Sequence, residues 1–217
     1  MPFVLGIEGY MKTGKTTLGK HLSKKFNAPV LDTGVLYRIV ASLLSKKEMT
    51  NNKIKQYVIG TSLDKIMDDL KIYFDYSLMC FNPIPCDIYS PKVSSVSALI
   101  GALTGDKWYY KFYSIIKKLS QTHNVILVGR NVLTMFPDLD IHIFLVANKQ
   151  KIIELTRKEQ KDLPYDEVIK LVNARNDNEQ LIRKFSEQNS KTLVIDVSNM
   201  DEFEVLDFVS KIIEKRL

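Results

Sequence analysis

The stretch GYMKTGKTT, residues 9–17, carries residue types that bind the phosphates of a nucleotide. Gly9, Gly14, Lys15 and Thr16 match the pattern G-x-x-x-x-G-K-[ST]. In this pattern the glycines let backbone N–H groups approach the β-phosphate, the lysine reaches the β- and γ-phosphates, and the hydroxyl ligates Mg²⁺. The motif therefore predicts that the chain binds a nucleoside triphosphate, but it does not identify the molecule that receives the phosphate.

Short apolar runs place this loop in a fold. FVLGIE (3–8) precedes the loop, and TTLGKHLSKKF after it has the spacing of a helix. Apolar runs that alternate with amphipathic helices are typical of a parallel sheet covered on both faces. We therefore predict an α/β fold with a five-stranded parallel sheet between helical layers. The further strand candidates are PVLD (29–32), VILVG (125–129), IHIFLVA (141–147) and TLVIDV (192–197).

Two regions interrupt the alternation of strands and helices. Residues 65–92 combine aromatic-rich alternation with proline turns, which predicts a small antiparallel insert. Residues 157–180 are charged and helix-forming, with Pro164 as a break. That pattern fits a mobile lid, and it fits an ordinary solvated helical hairpin equally well.

Composition excludes several classes of protein. The chain has 217 residues, of which 45% are hydrophobic and 26% charged, as expected of one globular domain. No apolar run approaches the roughly 20 residues of a membrane-spanning helix. The N-terminal residues lack the pattern of a secretory signal, and Cys80 and Cys86 are too few and too widely spaced for a CxxC metal knuckle, so we expect two reduced thiols in a cytoplasmic protein. The net charge of +6 comes from lysines spread along the chain, and we expect neither a nucleic-acid nor a membrane partner.

Arginines are scarce enough to be informative, since only six stand beside 25 lysines. A guanidinium grips phosphate through two parallel hydrogen bonds, which an ammonium cannot do. Asp32 closes the second strand candidate, and Tyr37 and Arg38 follow in the next helix. Arg130 comes directly after VILVG, so both arginines are expected at the carboxyl edge of the sheet and could clamp a second phosphate. The alternative for Asp32 and Arg38 is a structural ion pair.

Four stretches together resemble the cytidylate kinase family: GIEGYMKTGKTT, LDTGVLYR, IYSPKVSSVSALIG and VGRNVLTMFPDLDIHIFLVA, in this order. The resemblance implies the P-loop fold of nucleoside-monophosphate kinases, as one domain over residues 1–217. Its core would comprise 1–60 and 95–217, an acceptor-binding insert about 61–94, and a lid about 157–180. It implies ATP as co-substrate, Mg²⁺ as cofactor, small nucleotides as the ligands, and a monomer.

The resemblance also implies roles for individual residues. The catalytic residues would be Lys15, Asp32, Arg130 and Arg175, and the metal ligands Thr16 and Asp32. ATP would be bound by Gly9, Thr13, Gly14, Lys15, Thr16, Thr17 and Arg157. The acceptor would be bound by Tyr37, Arg38, Ser97, Lys107, Arg130, Asn131, Glu179 and Arg183.

The sequence departs from the family pattern where the acceptor's base is recognised. Asn131 stands where the family has Asp, and Lys107 where it has Arg. The family's serine position is Ala98, with Ser97 one place earlier. We therefore predict a kinase of a pyrimidine nucleoside monophosphate, with CMP or dCMP as the default acceptor. Two alternatives stay open: a kinase of another small acceptor, and a nucleotide-binding regulatory protein without turnover.

Overall fold

A computed structural model describes residues 2–159, 161 and 163–216, and among these the side chains of residues 159, 174–184 and 187 lie outside the description. In chain order the strands are β1 (Val4–Gly9), β2 (Val30–Asp32), β3 (Tyr73–Asp75), β4 (Cys80–Asn82), β5 (Val125–Val128), β6 (Ile141–Val146) and β7 (Thr192–Asp196). The helices are α1 (Lys15–Phe26), α2 (Val35–Lys46), α3 (Asn51–Gly60), α4 (Leu63–Leu70), α5 (Pro91–Thr104), α6 (Tyr109–Leu119), α7 (Val132–Met135), α8 (Lys149–Glu159), α9 (Tyr165–Gln188) and α10 (Glu202–Arg216).

Five strands form one parallel sheet in the order β2-β5-β1-β6-β7, which confirms the predicted fold class. β1 lies in the centre, with Ile7 opposite Val128 of β5 on one side and opposite Ile143 of β6 on the other. All five strands coincide with the apolar runs identified in the sequence. The phosphate-loop motif therefore begins where the central strand ends.

The chain divides into two compact units. The first comprises residues 1–30 and 122–217, and the second comprises residues 31–121, so the division falls within β2. The second unit contains the predicted insert of about 61–94 together with α2, α3, α5 and α6. The boundaries of core, insert and lid remain predictions.

The central sheet of the first unit has two unlike faces. On one face Leu5 and Ile7 join a wholly apolar core, to which α1 contributes Leu22 and α10 contributes Val209. Because side chains alternate along a strand, Gly6 and Glu8 of β1 point to the opposite face. That face carries a smaller apolar cluster shared by the phosphate loop, β6, α8 and α9: Tyr10, Met11, Phe144, Ile152, Val168 and Val172. Helices thus cover both faces, as predicted.

The second unit contains the predicted antiparallel element. β3 and β4 form a two-stranded hairpin, in which Phe74 lies opposite Phe81. Phe81 contacts Phe112 of α6 edge to face, with ring centroids 5.6 Å apart. Such an aromatic contact secures a hairpin that is too short to be stable alone. Among the described residues, no helix is long and apolar enough to cross a membrane.

Gly9 should be irreplaceable for steric reasons. Its φ of +145° disfavours any side chain, and a Cβ at this position would lie 2.3 Å from the carbonyl oxygen of Leu145. We expect Gly9→Ala to lower the free energy of unfolding by more than about 2 kcal/mol, measured by urea denaturation.

A matched control is Gly101→Ala in α5, where a Cβ would meet nothing within 4 Å. That change should leave stability unchanged or raise it by up to about 1 kcal/mol, since alanine favours a helix. Equal effects of the two substitutions would contradict the steric argument.

Candidate active site

The phosphate loop is built by internal hydrogen bonds. The Thr13 hydroxyl, buried beneath the loop, donates to the carbonyl oxygen of Tyr10 at 2.8 Å. The Tyr10 N–H donates to the carbonyl oxygen of Leu145 on β6 at 3.0 Å. Gly14 has a φ of +83° and directly precedes α1. The loop is therefore fixed to the sheet at one end and to the helix at the other.

Lys15 and the start of α1 have the chemistry of a phosphate site. The Lys15 ammonium donates to the carbonyl oxygen of Gly9 at 2.8 Å and to that of Tyr10, so it lies across the loop. No side chain among the described residues caps the first turn of α1, and that turn holds no acidic residue. Its N–H groups and the positive end of the helix dipole therefore suit an anion. Thr16 is exposed and Thr17 half-buried.

Glu8 is fully buried below the loop and uses both carboxylate oxygens. One oxygen accepts a hydrogen bond from the Leu133 N–H at 2.7 Å, and the other accepts from the Ser186 hydroxyl at 2.8 Å. His142 Nε2 lies 3.5 Å from the first oxygen, and His142 Nδ1 lies 2.7 Å from the Thr192 hydroxyl. This role of Glu8 was not predicted from the sequence. The signal for it was a carboxylate placed in an otherwise apolar strand.

The turn after β5 carries Arg130 and Asn131. The Gly129 N–H donates to the Ile7 carbonyl at 3.2 Å, and the Asn131 carbonyl accepts from the Met135 N–H at 2.9 Å as α7 begins. Together with the bond from Leu133 to Glu8, these contacts fix the turn between two strands and a helix. Arg130 is exposed and Asn131 half-buried. Arg130 and Arg38 belong to different units, so their convergence stays a prediction.

Arg38 in the second unit is held by two neighbours. Its Nη1 donates to the Ser94 hydroxyl at 3.3 Å, and its guanidinium carbon lies 5.3 Å from the centre of the Tyr89 ring. Arg38 Nε is buried and has no hydrogen-bond partner among the described residues. A buried donor of this kind calls for an acceptor, and a phosphate oxygen would serve.

Asp32 lies at the end of β2, as predicted from the sequence. Its Oδ1 accepts a hydrogen bond from the Gly34 N–H at 2.8 Å, which shapes the turn into α2. Within the described residues Asp32 and Arg38 form no salt bridge with each other, so the alternative of a structural ion pair is not what the structure contains. Both charged groups are half-buried and open to a ligand.

Tyr37 is placed differently from the sequence-based interpretation. Its ring is 8% exposed and stacks on Trp108, with centroids 4.9 Å apart. Burial raises the pKa of the Tyr37 hydroxyl well above its ordinary value, and a hydrogen bond with Thr104 opposes that shift. Tyr37 therefore belongs to the aromatic core of the second unit. Its neighbour Arg38, on another face of the same helix, contacts Ser94 and Tyr89 instead. The structure thus shows a packing role for Tyr37, and its predicted contact with an acceptor stays a prediction.

The other predicted acceptor residues are less enclosed. Ser97 is half-buried on α5, its neighbour Ala98 is exposed, and Lys107 is exposed on the 3₁₀ turn at Gly105–Trp108. Their contact with an acceptor stays a prediction.

Of the four functional residues predicted on α8 and α9, only Arg157 has a described side chain. The Arg157 guanidinium lies 5.2 Å from the centre of the Tyr165 ring, where α8 and α9 face each other. Both residues line an open cavity of about 500 Å³ together with Lys149, Gln150, Ile153 and Glu154. Arg175, Glu179 and Arg183 fall within α9, but their side chains lie outside the described ones. Their roles remain predictions.

The donor chemistry suits a magnesium ion bound jointly with phosphates. No group of three or more His, Cys, Asp and Glu residues forms a metal cage in the part of the chain that the structure describes. Mg²⁺ bound to a nucleotide needs only one or two protein oxygens besides phosphates and water. The Thr16 hydroxyl of the first unit is exposed and the Asp32 carboxylate of the second unit is half-buried, whereas Glu8 is fully buried. That Thr16 and Asp32 hold one Mg²⁺ stays a prediction.

Comparison with known proteins agrees with this loop and sheet. The sequence profile described as "Cytidylate kinase" matches residues 5–215, which is nearly the whole chain. The chain belongs to the cytidylate kinase family. Curated cytidylate kinases from Fusobacterium nucleatum and Clostridium tetani are 26% and 27% identical to it, covering 98% and 100% of this chain and 97% and 96% of their own. It is therefore a nucleotide-binding phosphotransferase of the nucleoside-monophosphate kinase class, and the alternative without turnover loses its support.

Solved structures support the fold alone. The crystal structure of TT1252 from Thermus thermophilus matches with a TM-score of 0.52 at 16% identity, covering 100% of this chain and 98% of the other. An uncharacterised protein from Eubacterium ventriosum matches with a TM-score of 0.50 at 12% identity, covering 99% of both chains. The α/β architecture is thus shared well beyond recognisable sequence similarity.

Removing the Glu8 carboxylate should destabilise the first unit. Glu8→Ala would leave the buried Leu133 N–H without its acceptor, and we expect a loss of about 1–3 kcal/mol in the free energy of unfolding. Glu8→Gln keeps an acceptor oxygen of the same reach and should cost clearly less. Chemical denaturation measures both variants.

The exposed Glu214, which pairs with Lys25 at 2.9 Å, is the control. Glu214→Ala should change stability by less than about 1 kcal/mol. A Glu8→Ala variant as stable as Glu214→Ala would show that the buried network contributes nothing.

Proposed function

We propose that the protein transfers the γ-phosphoryl group of ATP to a pyrimidine nucleoside monophosphate, with CMP or dCMP as the default acceptor, and forms the diphosphate. The observation that carries this proposal is Arg38, whose guanidinium is held by Tyr89 and Ser94 while its buried Nε has no partner among the described residues. An arginine held in this way is suited to an acceptor that itself carries a phosphate. We further propose that the protein acts as a monomer in the cytoplasm.

The chain's own residues position and neutralise the reacting phosphates. Lys15 and the N–H groups of the loop bind the β- and γ-phosphates, while Arg38 and Arg130 hold the acceptor phosphate. Phosphoryl transfer proceeds in line through a loose transition state, so correct placement and charge stabilisation supply most of the rate enhancement. An acceptor phosphate oxygen is a competent nucleophile at neutral pH, and no histidine is needed as a base.

Magnesium fits this scheme as a cofactor held by few protein groups. Thr16 would ligate it directly and Asp32 would hold it through water. When bound, Mg²⁺ neutralises charge on the β- and γ-phosphates. Glu8 supports the turn that carries Arg130 and Asn131, and we assign it no part in binding the metal.

A second candidate function keeps the kinase and changes the acceptor. Asn131 offers both a donor and an acceptor where an ionised Asp only accepts, so it could face a uracil carbonyl as well as a cytosine amine. Ala98 has no polar group, and Lys107 lacks the fork geometry of an arginine. Losing matched polar contacts can relax discrimination by orders of magnitude.

The direct test measures ADP formation from ATP and Mg²⁺ against a panel of ribo- and deoxyribonucleoside monophosphates. We expect saturable turnover with CMP or dCMP. Turnover confined to UMP or to a purine nucleotide would contradict CMP or dCMP as the acceptor and support the second candidate function. Silence across the panel, with ATP still binding, would refute both forms of nucleotide kinase.

Arginine variants test how the acceptor phosphate is bound. Arg38→Ala and Arg130→Ala should each lower kcat/KM for the acceptor by about 100-fold or more, because each removes a charged hydrogen-bond donor from the acceptor phosphate. ATP affinity, measured by calorimetry, should stay within a few fold. Lys15→Ala should instead weaken ATP binding itself.

Arg216→Ala provides the control, since Arg216 is exposed at the end of α10 and should be silent. If Arg38→Ala or Arg130→Ala weakened ATP binding as strongly as acceptor turnover, that arginine would belong to the ATP site.

A further inference from the structure

Tyr89 combines exposure with a firmly held backbone. Its side chain is 67% exposed, yet its neighbour Ile88 is buried in the core at 5% exposure. On the other side, Ser90 begins α5, and its hydroxyl accepts a hydrogen bond from the Val93 N–H at 3.3 Å. The anchored neighbours therefore fix the backbone of Tyr89, while most of its ring stays exposed.

A partly buried hydrogen bond fixes this segment to α2. Ser42 is fully buried, and its hydroxyl donates to Asp87 Oδ1 at 2.6 Å. The Asp87 carbonyl in turn accepts from the Ser90 N–H at 2.8 Å. Since Arg38 lies one turn before Ser42 on the same helix, the connection fixes Tyr89 relative to Arg38.

The surroundings of Tyr89 are those of a ligand site. The Arg38 guanidinium lies over the Tyr89 ring, with its carbon 5.3 Å from the ring centre, and most of the side chain is exposed. The part of the Tyr89 side chain that is covered raises the pKa of its hydroxyl, Asp32 raises it further and Arg38 lowers it, so the ring stays neutral at physiological pH. A neutral aromatic surface therefore adjoins the arginine to which we assign the acceptor phosphate.

We propose that Tyr89 is a base-binding residue of the acceptor site, where its exposed ring stacks on the base of a nucleoside monophosphate. This inference rests on the proposed function, since it takes Arg38 as the ligand of the acceptor phosphate. Every nucleobase has an aromatic face, so stacking holds bases with little discrimination among them. Tyr89 would thus replace hydrogen-bond recognition that Ala98 cannot provide, and the acceptor class is nucleoside monophosphates of either pyrimidine.

Calorimetric binding of CMP, UMP and ribose 5-phosphate to the full-length protein tests this proposal without requiring turnover. Tyr89→Phe keeps the ring and should bind all three compounds within about twofold of the wild-type affinity. Tyr89→Ala should weaken CMP and UMP by about 5- to 100-fold, the range expected when a stacked aromatic is removed. Its affinity for ribose 5-phosphate, which has no base, should change by less than about twofold, and the wild-type protein should bind CMP and UMP within about tenfold of each other.

Tyr73→Ala removes another exposed tyrosine of the same unit and is the matched control. Three results would overturn the proposal: unchanged CMP binding by Tyr89→Ala, an equal loss for ribose 5-phosphate, or a strong preference of the wild-type protein for one pyrimidine. An equal loss would mean that Tyr89 acts only by holding Arg38.

The two failures are distinguishable. If no nucleotide is phosphorylated but CMP binding still depends on Tyr89, the proposed function fails and the stacking site stands. If CMP is phosphorylated and Tyr89→Ala binds CMP as tightly as the wild-type protein does, the proposed function stands and the stacking site fails.

Discussion

The buried carboxylate of Glu8 is the interaction on which the first unit depends most. It accepts hydrogen bonds from Leu133 of α7 and Ser186 of α9. Glu8 itself is the next-to-last residue of β1, directly before the phosphate loop. An ionised group in an apolar interior is tolerated only when its oxygens are satisfied. One side chain therefore joins the central strand, the turn after β5 and the long helix that follows.

The second unit uses a smaller polar anchor for a comparable purpose. The bond between Ser42 and Asp87 fixes the segment before α5 to α2, and Arg38 on α2 then meets Tyr89 and Ser94 at the other end of that segment. The stacked rings of Tyr37, Trp108 and Phe112 secure the opposite side of the same helix. One face of α2 is thus packed, and the other carries the charged group available to a ligand.

The strands and the phosphate loop could be predicted from the sequence, because each depends on residues that are close together along the chain. The strands were predictable because a parallel sheet buries both faces and so demands continuous apolar runs, as in VILVG and IHIFLVA. The loop was predictable because glycines and a lysine at fixed spacing have few other uses. Asp32 was correctly placed at a strand end because it is the polar residue that closes the short apolar run of β2.

Side-chain partners were not predictable, because they depend on contacts between distant parts of the chain. Tyr37 and Arg38 are adjacent in sequence, and nothing local indicates that one turns into an aromatic core and the other toward Tyr89. Glu8 meets Ser186 across 178 positions, so its partner could not be inferred. Tyr89 stood in a stretch that resembled the family, but its exposure on an anchored segment was visible only in three dimensions.

Lys15 donates hydrogen bonds to the carbonyl oxygens of Gly9 and Tyr10, and a ligand that draws the ammonium toward itself would break these bonds. Two of the three ammonium donors point at the loop's own carbonyl oxygens, and each bond from a charged group is worth about 1.5–3 kcal/mol. An anion that drew the ammonium away would have to offset the loss of these bonds. Under the proposed function a triphosphate would do so more readily than a single phosphate, because it would engage the loop's N–H groups as well.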